Sequence, residues 1–520
     1  MYICCFSFLK KIIADSIILL IMKKISTLVL LALLLFGSAN AQNIFGPGHH
    51  IICYSTHPVD TTVARPHNNA KALIRSSGDT LIAYINRAKY TLDIALYDYV
   101  EDSTWYEGGY VPPIHTAINN AYARGVKIRW IHNPSDSSKG FNAAITPNYG
   151  LALINKAIPT LPSASYSGIM HNKFVVIDGR SSNPDDAILW TGCMNWEPGQ
   201  ICKDINNIII FQDSALAHTY LTQFNQMWGD SVEGGQPNLT KSVFGPKEKN
   251  ITQHNFSIDG YWIESYFSPA DQTSNHIIST IQTAQSELDF EMFTFTLQAD
   301  DAPIVAAINR GVNVHGIMDQ SSLGYTPYTD LSNAMGSNLL IYSGLPGYYS
   351  NGICHSKYIM VDPCDYSWNA DPKILTGSHN WSSSANTVND ENTVIVHDSS
   401  IVNQYYQAFH ADFLALSTAG GTPVNLVQTC IPLGVNEVHN IDEVTMFPNP
   451  TSNTLKVTLN IPGSNITYSI YNNLGQMVQS GKLDARYVNT LNTDGLASGM
   501  YLLRVQTGNT KEFTGKFIKQ

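Results

Sequence analysis

The chain has 520 residues, of which 14% are charged and 44% are hydrophobic, and its formal net charge is −11. This length exceeds that of one ordinary domain, so we expect two or three domains. The composition excludes a disordered chain, and the acidic balance argues against a general polyanion-binding protein, although a local basic pocket stays compatible with it.

The N-terminus has the pattern of an export signal. Lys23-Lys24 supplies positive charge, residues 25–36 are apolar, and Ala39-Asn40-Ala41 forms a small-residue cleavage site. We predict a signal peptide over residues 1–41 whose functional start is Met22. The alternative is a membrane anchor, which is disfavoured because the apolar stretch is shorter than the ~20 residues that a spanning helix needs.

Two similar halves follow. The stretch "AKYTLDIALYDY" (88–99) resembles "AQSELDFEMFTF" (284–295), and each predicts a helix end that runs into a strand. Residues 114–131 and 304–318 each predict an amphipathic helix that ends near Arg-Gly and precedes a β-branched strand. This alternation predicts an α/β fold with a mixed, largely parallel sheet in each half.

The domain boundaries are placed where this periodicity changes. The first half is expected over 42–235 and the second over 250–416, because the stretch between them is rich in Gly, Pro and Asn. A Gly/Thr/Pro-rich linker is expected over 417–440. Short alternating strands then predict a small all-β domain over 441–520.

This last segment resembles the C-terminal sorting domain of the type IX secretion pathway. It begins with Pro-Asn-Pro, contains Asn-Leu-Gly-Gln and ends with Lys-Phe-x-Lys. The resemblance implies contact with the type IX secretion machinery and export through the periplasm and outer membrane, so that the protein is secreted or held at the cell surface. The alternative is an adhesive β-sandwich.

One motif occurs once in each half: "HNKFVVID" from His171 and "HSKYIMVD" from His355. Side chains two residues apart share a face of a strand, so His171 and Lys173 are expected to point into one pocket, as are His355 and Lys357. Asp178 lies an odd number of residues from His171, as Asp362 does from His355. We therefore expect the two aspartates to be hydrogen-bonding anchors at the strand ends.

A second matched element follows each strand. It is Gly192-Cys193-Met194-Asn195 in the first half and Gly377-Ser378-His379-Asn380 in the second. The glycine is expected to let the backbone approach a ligand, and the polar side chains can donate to a phosphate oxygen. Eleven residues after each asparagine come Asn206 and Glu391.

Paired His-Lys-Asn sets suit phosphoryl transfer through a covalent intermediate. One neutral imidazole attacks phosphorus and the other, protonated, donates to the leaving oxygen. Two lysines and two asparagines would stabilise the equatorial oxygens. No metal or cofactor is required, because the lysines supply the positive charge.

The pattern resembles the phospholipase D superfamily, whose signature is His-x-Lys, four residues, Asp, and then Gly-Ser-x-Asn. The resemblance covers about residues 50–415 and implies two duplicated α/β/α sandwich halves that share one site, with a phosphohistidine intermediate. It implies these catalytic residues: His171, Lys173, Asp178, His355, Lys357 and Asp362. The implied phosphate-binding or orienting residues are Asn195, Ser378, Asn380 and Glu391.

The first copy departs from the signature at two positions. Cys193 replaces the usual serine, and Asn206 stands where the second copy has Glu391. Asp204 is expected to compensate for Asn206. The resemblance makes His171 the nucleophile and His355 the acid, whereas Glu391 in the second half is expected to orient His355 and increase its basicity. The assignment of the two histidines therefore stays open at this stage.

The cysteines permit few conclusions. If 355–361 is a strand, Cys354 and Cys364 lie at opposite ends of it and cannot form a disulfide. A Cys193–Cys202 disulfide stays open. No cluster of His, Cys and carboxylate residues has the spacing of a metal site, so no metal is expected.

The substrate is inferred from accessibility and charge. The chain has no run of Lys and Arg for a nucleic-acid track, and export makes phospholipid accessible, so a phospholipid substrate is favoured. The alternatives are a metal-independent endonuclease of the same superfamily and a catalytically dead surface binding protein. No stable partner is implied, because one chain carries both copies of the motif.

Overall fold

The computed structural model describes residues 49–63, 69–100, 113–133, 160–163, 168–344, 352–365 and 370–419, and then 444–447, 451–459, 466–472, 476–483, 488–507 and 511–519. The predicted signal peptide, nearly all of the predicted linker and Cys430 lie outside these residues. In the described ranges, no helix is long and apolar enough to cross a membrane.

The first half contains one seven-stranded sheet. Its strands are β1 (Ile51–Ser55), β2 (Thr91–Leu96), β3 (Lys127–His132), β4 (Thr160–Pro162), β5 (Lys173–Ile177), β6 (Ile188–Gly192) and β7 (Asn207–Phe211). Its helices are α1 (Ser77–Arg87), α2 (Ile114–Ala123), α3 (Pro198–Cys202) and α4 (Ser214–Trp228). The strand order is β1-β7-β6-β5-β2-β3-β4.

The second half contains one eight-stranded sheet. Its strands are β8 (Asn255–Ile258), β9 (Tyr261–Ser268), β10 (Glu287–Met292), β11 (Asn313–Asp319), β12 (Leu339–Tyr342), β13 (Lys357–Val361), β14 (Lys373–Gly377) and β15 (Glu391–Val396). Its helices are α5 (Thr273–Gln282), α6 (Gln298–Asn309), α7 (Thr326–Met335), α8 (Ser383–Thr387) and α9 (Ser399–Ala419). The strand order is β12-β11-β10-β13-β14-β15-β9-β8.

The local patterns read from the repeats are confirmed. Both predicted helices end where expected, α2 at Ala123 and α6 at Asn309. Gly125 and Gly311 follow two residues later with φ values of 96° and 93°. These left-handed residues terminate each helix and direct the chain into a strand of the sheet.

The prediction of largely parallel sheets is wrong. Only β2–β3 and β3–β4 in the first sheet, and β10–β11 and β11–β12 in the second, are parallel. The remaining pairs, including β5–β6 and β13–β14, are antiparallel. Parallel neighbours need a crossover of a dozen or more residues, and the connection from β5 to β6 is shorter than that.

The two halves share one hydrophobic core. Residues of β5 and α4 in the first half and of β13 and α9 in the second belong to the same buried cluster. Tyr220 on α4 illustrates the continuity, because its ring lies 5.0 Å from that of Phe174 and 4.9 Å from that of Phe267 across the halves. Apolar burial therefore holds the halves together beside the site.

The C-terminal segment is all β, as predicted. Its strands are β16 (Val444–Phe447), β17 (Thr454–Leu459), β18 (Ile466–Asn472), β19 (Met477–Leu483), β20 (Val488–Asn492), β21 (Gly499–Thr507) and β22 (Lys511–Lys519). They form a three-stranded sheet, β16-β17-β20, and a four-stranded sheet, β19-β18-β21-β22. Leu455, Ile470, Leu503 and Phe517 lie in the core of this module.

Candidate active site at the interface of the halves

Each motif histidine is hydrogen-bonded through its backbone to the opposite half. The His171 N–H donates to the Asp390 carbonyl at 2.9 Å, and the His355 N–H donates to the Ile205 carbonyl at 2.9 Å. The histidines precede their strands, since β5 begins at Lys173 and β13 at Lys357. These backbone hydrogen bonds between the halves bring the two motifs to one interface.

The side chains that orient the imidazoles are also exchanged between the halves. His171 Nδ1 lies 2.7 Å from Glu391 Oε2, and His355 Nδ1 lies 2.9 Å from Asn206 Oδ1. The expectation that Glu391 orients His355 is therefore wrong, because Glu391 serves the histidine of the other copy. A carboxylate only accepts, so Nδ1 of His171 carries the proton and Nε2 keeps its lone pair.

Ser378 holds Glu391 in place. Its hydroxyl donates to Glu391 Oε2 at 2.7 Å and accepts from the Asn392 N–H at 3.0 Å. The carboxylate acceptor that faces His171 is therefore fixed by the turn that follows β14. Ser378 thus fixes the position of Glu391, the residue that orients His171.

Cys193 occupies the equivalent place in the first half. Its thiol donates to Asn206 Oδ1 at 3.3 Å and accepts from the Asn207 N–H at 3.2 Å. Asn206 Nδ2 donates to the Gln200 carbonyl at 3.1 Å, which directs Oδ1 toward His355. The substitution of serine by cysteine keeps the architecture with weaker hydrogen bonds.

Asp204 does not compensate for Asn206. One of its carboxylate oxygens accepts from the Ile353 N–H at 3.0 Å, so Asp204 fixes the backbone that leads into the second motif. His355 is therefore oriented by a neutral amide, while His171 is oriented by a carboxylate. Because of this difference, two otherwise equivalent imidazoles have different chemical properties.

The two motif lysines are buried beside the histidines. Lys173 Nζ donates to the His171 carbonyl at 2.6 Å, and Lys357 Nζ donates to the His355 carbonyl at 2.5 Å. Burial lowers the pKa of Lys173 to about 7 and that of Lys357 to about 8. Both ammonium groups lack bulk hydration, which strengthens their interaction with an incoming anion.

An aromatic ring lies against each His-Lys pair, and neither ring was predicted from the sequence. The Tyr97 ring lies 4.9 Å from that of His171 and 4.8 Å from Lys173 Nζ. The Phe293 ring lies 5.0 Å from that of His355 and 4.9 Å from Lys357 Nζ. Tyr97 and Phe293 hold matching places in the repeated segments 88–99 and 284–295, which was the available signal.

The ionisation of the site follows from burial and charge. Burial lowers the pKa of His171 to about 4, although Glu391 opposes the shift. Burial, followed by the charges of Lys357, Lys173 and His171, lowers the pKa of His355. Burial disfavours the charge of Glu391, but the combined effects of His171, His379 and Lys173 lower the pKa of Glu391 to about 2. The site therefore holds an ionised Glu391 and two neutral imidazoles.

A family model shows where the chain belongs. The model described as the cardiolipin synthase, phospholipase D-like domain matches residues 81–228 and 277–413, which together make up more than half of the chain. The chain belongs to the phospholipase D-like family. A second model, the secretion system C-terminal sorting domain, matches residues 445–520. This phospholipase D-like protein therefore carries the type IX signal for delivery to the cell surface or the extracellular space.

Individual relatives are distant. The chain is 24% identical over 170 residues to the mitochondrial cardiolipin hydrolase of Homo sapiens, which covers 33% of this chain and 56% of that protein. It is 24% identical over 146 residues to a phospholipase D of Rickettsia bellii (strain RML369-C), which covers 28% of this chain and 66% of that protein. The chain spans about half the length of the curated relatives it matches.

A solved structure also resembles the chain. The phosphatidylserine synthase of Haemophilus influenzae Rd KW20 aligns with a TM-score of 0.44 and 14% identity, and the alignment covers 64% of this chain and 84% of that one. The family match and the two α/β sheets show that the chain has the phospholipase D-like α/β fold, with a small C-terminal β domain.

The motif aspartates of this phospholipase D-like protein are structural anchors. Asp178 accepts from the backbone amides of residues 89–91 at 2.7–2.8 Å. Asp362 accepts from those of residues 285–287. Both aspartates have positive φ, 51° and 50°. As the strand parity predicts, each aspartate ties its motif strand to the entry of a neighbouring strand, and the catalytic role that the resemblance implies stays a prediction.

We expect Asp178→Ala to destabilise the protein by about 2–4 kcal/mol, because three amides lose their common acceptor. The variant should unfold at lower urea concentration, and the fraction that stays folded should keep turnover within about tenfold of the parent. Asp185→Ala, which changes an exposed carboxylate near the same strands, is the control. An unchanged urea midpoint in Asp178→Ala would contradict the anchor role.

The conserved geometry of the two turns explains their glycines differently from the sequence prediction. A Cβ on Gly192 would lie 2.4 Å from the Asn207 carbonyl oxygen, and one on Gly377 would lie 2.1 Å from that of Asn392. Their φ values are 134° and 153°. These glycines admit the neighbouring strand rather than a ligand.

The turn asparagines keep polar atoms available. Asn195 Oδ1 and Asn380 Oδ1 are buried, and within the described residues neither has a hydrogen-bond partner. An amide oxygen only accepts, so a phosphate contact would come from the Nδ2 group of each side chain, which can donate to a phosphoryl oxygen. The phosphate-binding role that the motif implies for Asn195 and Asn380 stays a prediction.

The cysteine predictions are partly correct. Cys354 is a reduced, buried thiol, so the exclusion of a Cys354–Cys364 disulfide is confirmed. Cys193 and Cys202 are also thiols, so the disulfide left open between them does not form. Burial raises the pKa of Cys193, which keeps it protonated as a donor to Asn206.

Proposed function

We propose that this protein is a secreted phosphodiesterase of phospholipase D type that hydrolyses phospholipids through a phosphohistidine intermediate. The observation that carries the proposal is the crossed pairing of His171 with Glu391 and of His355 with Asn206. It presents two imidazoles with different partners at one interface. The family match and the secretion module support the coarser assignment.

His171 is the nucleophile in this proposal. Its Nε2 lone pair attacks phosphorus, a P–N bond forms, and the ring becomes cationic beside the Glu391 carboxylate. The carboxylate favours that charge and holds the tautomer in which Nε2 is unprotonated. Asn206 offers no such charge to His355, so His171 is better suited to the covalent step.

His355 is the acid. Burial and then the lysine charges lower the pKa of His355 in the free protein, and a bound phosphodiester anion offsets the part that comes from the lysines. Its imidazolium then donates a proton from Nε2 to the leaving alkoxide as the P–O bond breaks. Neutral His355 next deprotonates water, which attacks phosphorus and breaks the P–N bond.

Lys173, Lys357, Asn195 and Asn380 stabilise the phosphoryl oxygens. The lysines lie beside the histidine backbones in a buried setting, so their charge acts at low dielectric on the transition state. They make a catalytic metal ion unnecessary in this proposal. The Tyr97 and Phe293 rings each lie against one of the two His-Lys pairs.

Phospholipid is the favoured substrate class. The chain has a net charge of −11, which opposes long contact with a nucleic-acid backbone. The curated relatives named above are described as a cardiolipin hydrolase and a phospholipase D. A surface-delivered enzyme also meets membrane phospholipid directly.

The deciding assay offers the purified full chain two substrates in parallel in the presence of a chelator. Phosphatidylcholine vesicles should release choline, and single-stranded DNA should stay intact. Cleavage of DNA without release of choline would mean that the protein is an endonuclease and not a phospholipase. Absence of both activities in a folded protein would favour a surface binding protein.

Ethanol should intercept the intermediate. When ethanol is added to a reaction on phosphatidylcholine, we expect phosphatidylethanol to appear while choline release continues, because an alcohol can replace water at the phosphohistidine. Mass spectrometry of the lipid products measures the ratio of phosphatidylethanol to phosphatidic acid. Choline release with no phosphatidylethanol at any ethanol concentration would contradict a covalent lipid intermediate.

A further inference from the structure

One face of β10 is unusually acidic. Its alternate residues Glu287, Asp289 and Glu291 point to the same side of the sheet and are all buried. Helix α9 packs over this strand and adds the buried carboxylate of Asp412. Four carboxylates therefore share one buried region, and buried charge of one sign requires compensation.

The first half provides an internal comparison. Asp93 lies opposite Arg129 in the β2–β3 register, as Asp289 lies opposite His315 in β10–β11. Arg129 Nε donates to Asp93 Oδ1 at 2.6 Å and balances its charge. No other residue of β2 is acidic. The acidic face is thus a property of the second copy alone.

The position of Glu291 shows the difference most clearly. Ala95 pairs with the third residue after His171, and Glu291 pairs with the third residue after His355, so the two positions are equivalent. The first copy has a methyl group where the second has a carboxylate. Packing at this point of the fold therefore does not require an acid.

Three side chains from distant segments converge at Glu291. The ligand atoms of His57, Glu291 and Asp412 all lie within 4.8 Å of one another, and all three residues are buried. His57 Nδ1 is 2.8 Å from Asp412 Oδ2. Tyr358, which pairs with Glu291 in the sheet, also lies in this region.

The converging atoms satisfy one another only in part. His57 Nδ1 forms an ion pair with Asp412 Oδ2, and Glu291 interacts with Asp412 and Tyr358. Both Glu291 oxygens and the Tyr358 hydroxyl are nevertheless buried without a well-aligned hydrogen bond within the described part of the chain. Such an arrangement suits atoms that share a cation.

We propose that His57, Glu291 and Asp412 bind one divalent metal ion, with Zn²⁺ as the best match. One imidazole nitrogen and two carboxylate oxygens are a ligand set that Zn²⁺ accepts, and Tyr358 or a water completes four-coordination. Two carboxylates and a neutral imidazole balance the charge of the ion. The metal is structural, because it joins the segment that follows β1, strand β10 and helix α9.

The neighbouring group Glu287, Asp289 and His315 is not assigned a second ion. His315 Nδ1 lies 2.9 Å from Asp289 Oδ1 in a normal hydrogen bond, so its imidazole is already engaged. The proposed site also shares no residue with the phosphoryl-transfer machinery. Its occupancy can therefore be measured whether or not the protein cleaves a phosphodiester.

The test measures metal in the full chain expressed and refolded with ZnSO₄ and then dialysed. Inductively coupled plasma mass spectrometry should find about one Zn²⁺ per chain. Glu291→Ala, which installs the residue of the first copy, should reduce this content at least about tenfold. The control is Asp60→Asn. The Asp60 carboxylate pairs with His410, which lies on the same helix as Asp412, and this variant should keep the full Zn²⁺ content.

The melting temperature gives a second test. The difference between Glu291→Ala and the parent should have opposite signs for a metal-bound cluster and for an empty one. Chelation should lower the melting temperature of the parent, and re-addition of Zn²⁺ should restore it, whereas Glu291→Ala should respond to neither. If the cluster held no ion, Glu291→Ala would instead melt higher in both conditions, because a buried carboxylate is removed. That result would overturn the proposal.

X-ray absorption at the zinc edge covers the case in which Glu291→Ala does not fold. The parent should show only nitrogen and oxygen neighbours at about 2.0–2.2 Å. Sulfur neighbours would place the ion at a cysteine and refute the site. A parent protein that holds less than about one tenth of an ion per chain would refute it as well.

Discussion

His171→Ala should lower turnover of every phosphodiester by about four orders of magnitude or more, because no other group forms the P–N bond. The loss should persist with bis(p-nitrophenyl) phosphate, since an easily expelled leaving group does not replace a missing nucleophile. Release of p-nitrophenolate, followed by absorbance, measures the rate. His218→Ala, an exposed histidine on α4, is the matched control and should keep full activity.

His355→Ala should behave differently with the two kinds of substrate. A choline or alkyl leaving group needs the proton that His355 supplies, so turnover of phosphatidylcholine should fall as severely as in His171→Ala. The p-nitrophenolate ion departs without a proton, so the first step should survive and label His171 with phosphorus. A burst of p-nitrophenolate in His171→Ala but not in His355→Ala would exchange the two assignments.

Much of the fold and of the site follows from local sequence pattern. The strand parity of the motifs correctly placed Asp178 and Asp362 at strand ends as backbone acceptors. The Arg-Gly pairs correctly marked the ends of α2 and α6. These features depend on residues within a few positions of each other. Each feature also occurs twice in the sequence, because the two halves are duplicates.

Contacts between the halves could not be obtained in this way. Glu391 follows His355 in the same copy, and sequence proximity favoured a pairing between them. In the fold, Glu391 instead reaches His171, because the segments before each histidine pair with the segments before Asn206 and Glu391 in the opposite half. The docking of two sheets decides that choice, and no single motif contains the information.

The proposed metal ligands could not be predicted from the sequence for the same reason. His57, Glu291 and Asp412 come from three segments, and their spacing matches no metal-binding motif. Alternation along β10 was visible in the sequence as Glu-x-Asp-x-Glu. Alternating acids are typical of a solvent-exposed face, and only the packing of α9 shows that this face is buried.

Lys173→Met should reduce turnover and increase stability together. Methionine keeps the length of the side chain but removes the charge that stabilises the phosphoryl oxygens, so kcat should fall by about three orders of magnitude. The rate of choline release at saturating phosphatidylcholine measures this loss. Lys357→Met should show a loss of similar size, because the two lysines occupy equivalent places.

The increase in stability follows from the direction of the pKa shift. Burial lowers the pKa of Lys173 from 10.5 to about 7, so the folded state disfavours the ammonium form that the unfolded chain prefers. The resulting destabilisation grows as the pH falls from about 10.5 to about 7 and keeps its full size below that. Lys173→Met should therefore melt higher than the parent at pH 6, and the difference should vanish above pH 10.5.

Lys89→Met separates this effect from a general effect of removing lysine. Lys89 is exposed and pairs with Asp186 at the surface, so its replacement should leave kcat unchanged and should not raise the melting temperature. A drop in the melting temperature of Lys173→Met at pH 6 would mean that the ammonium group is held by the fold rather than reserved for substrate. In that case the charge would be structural, and the proposed stabilisation of the phosphoryl oxygens would lose its main support.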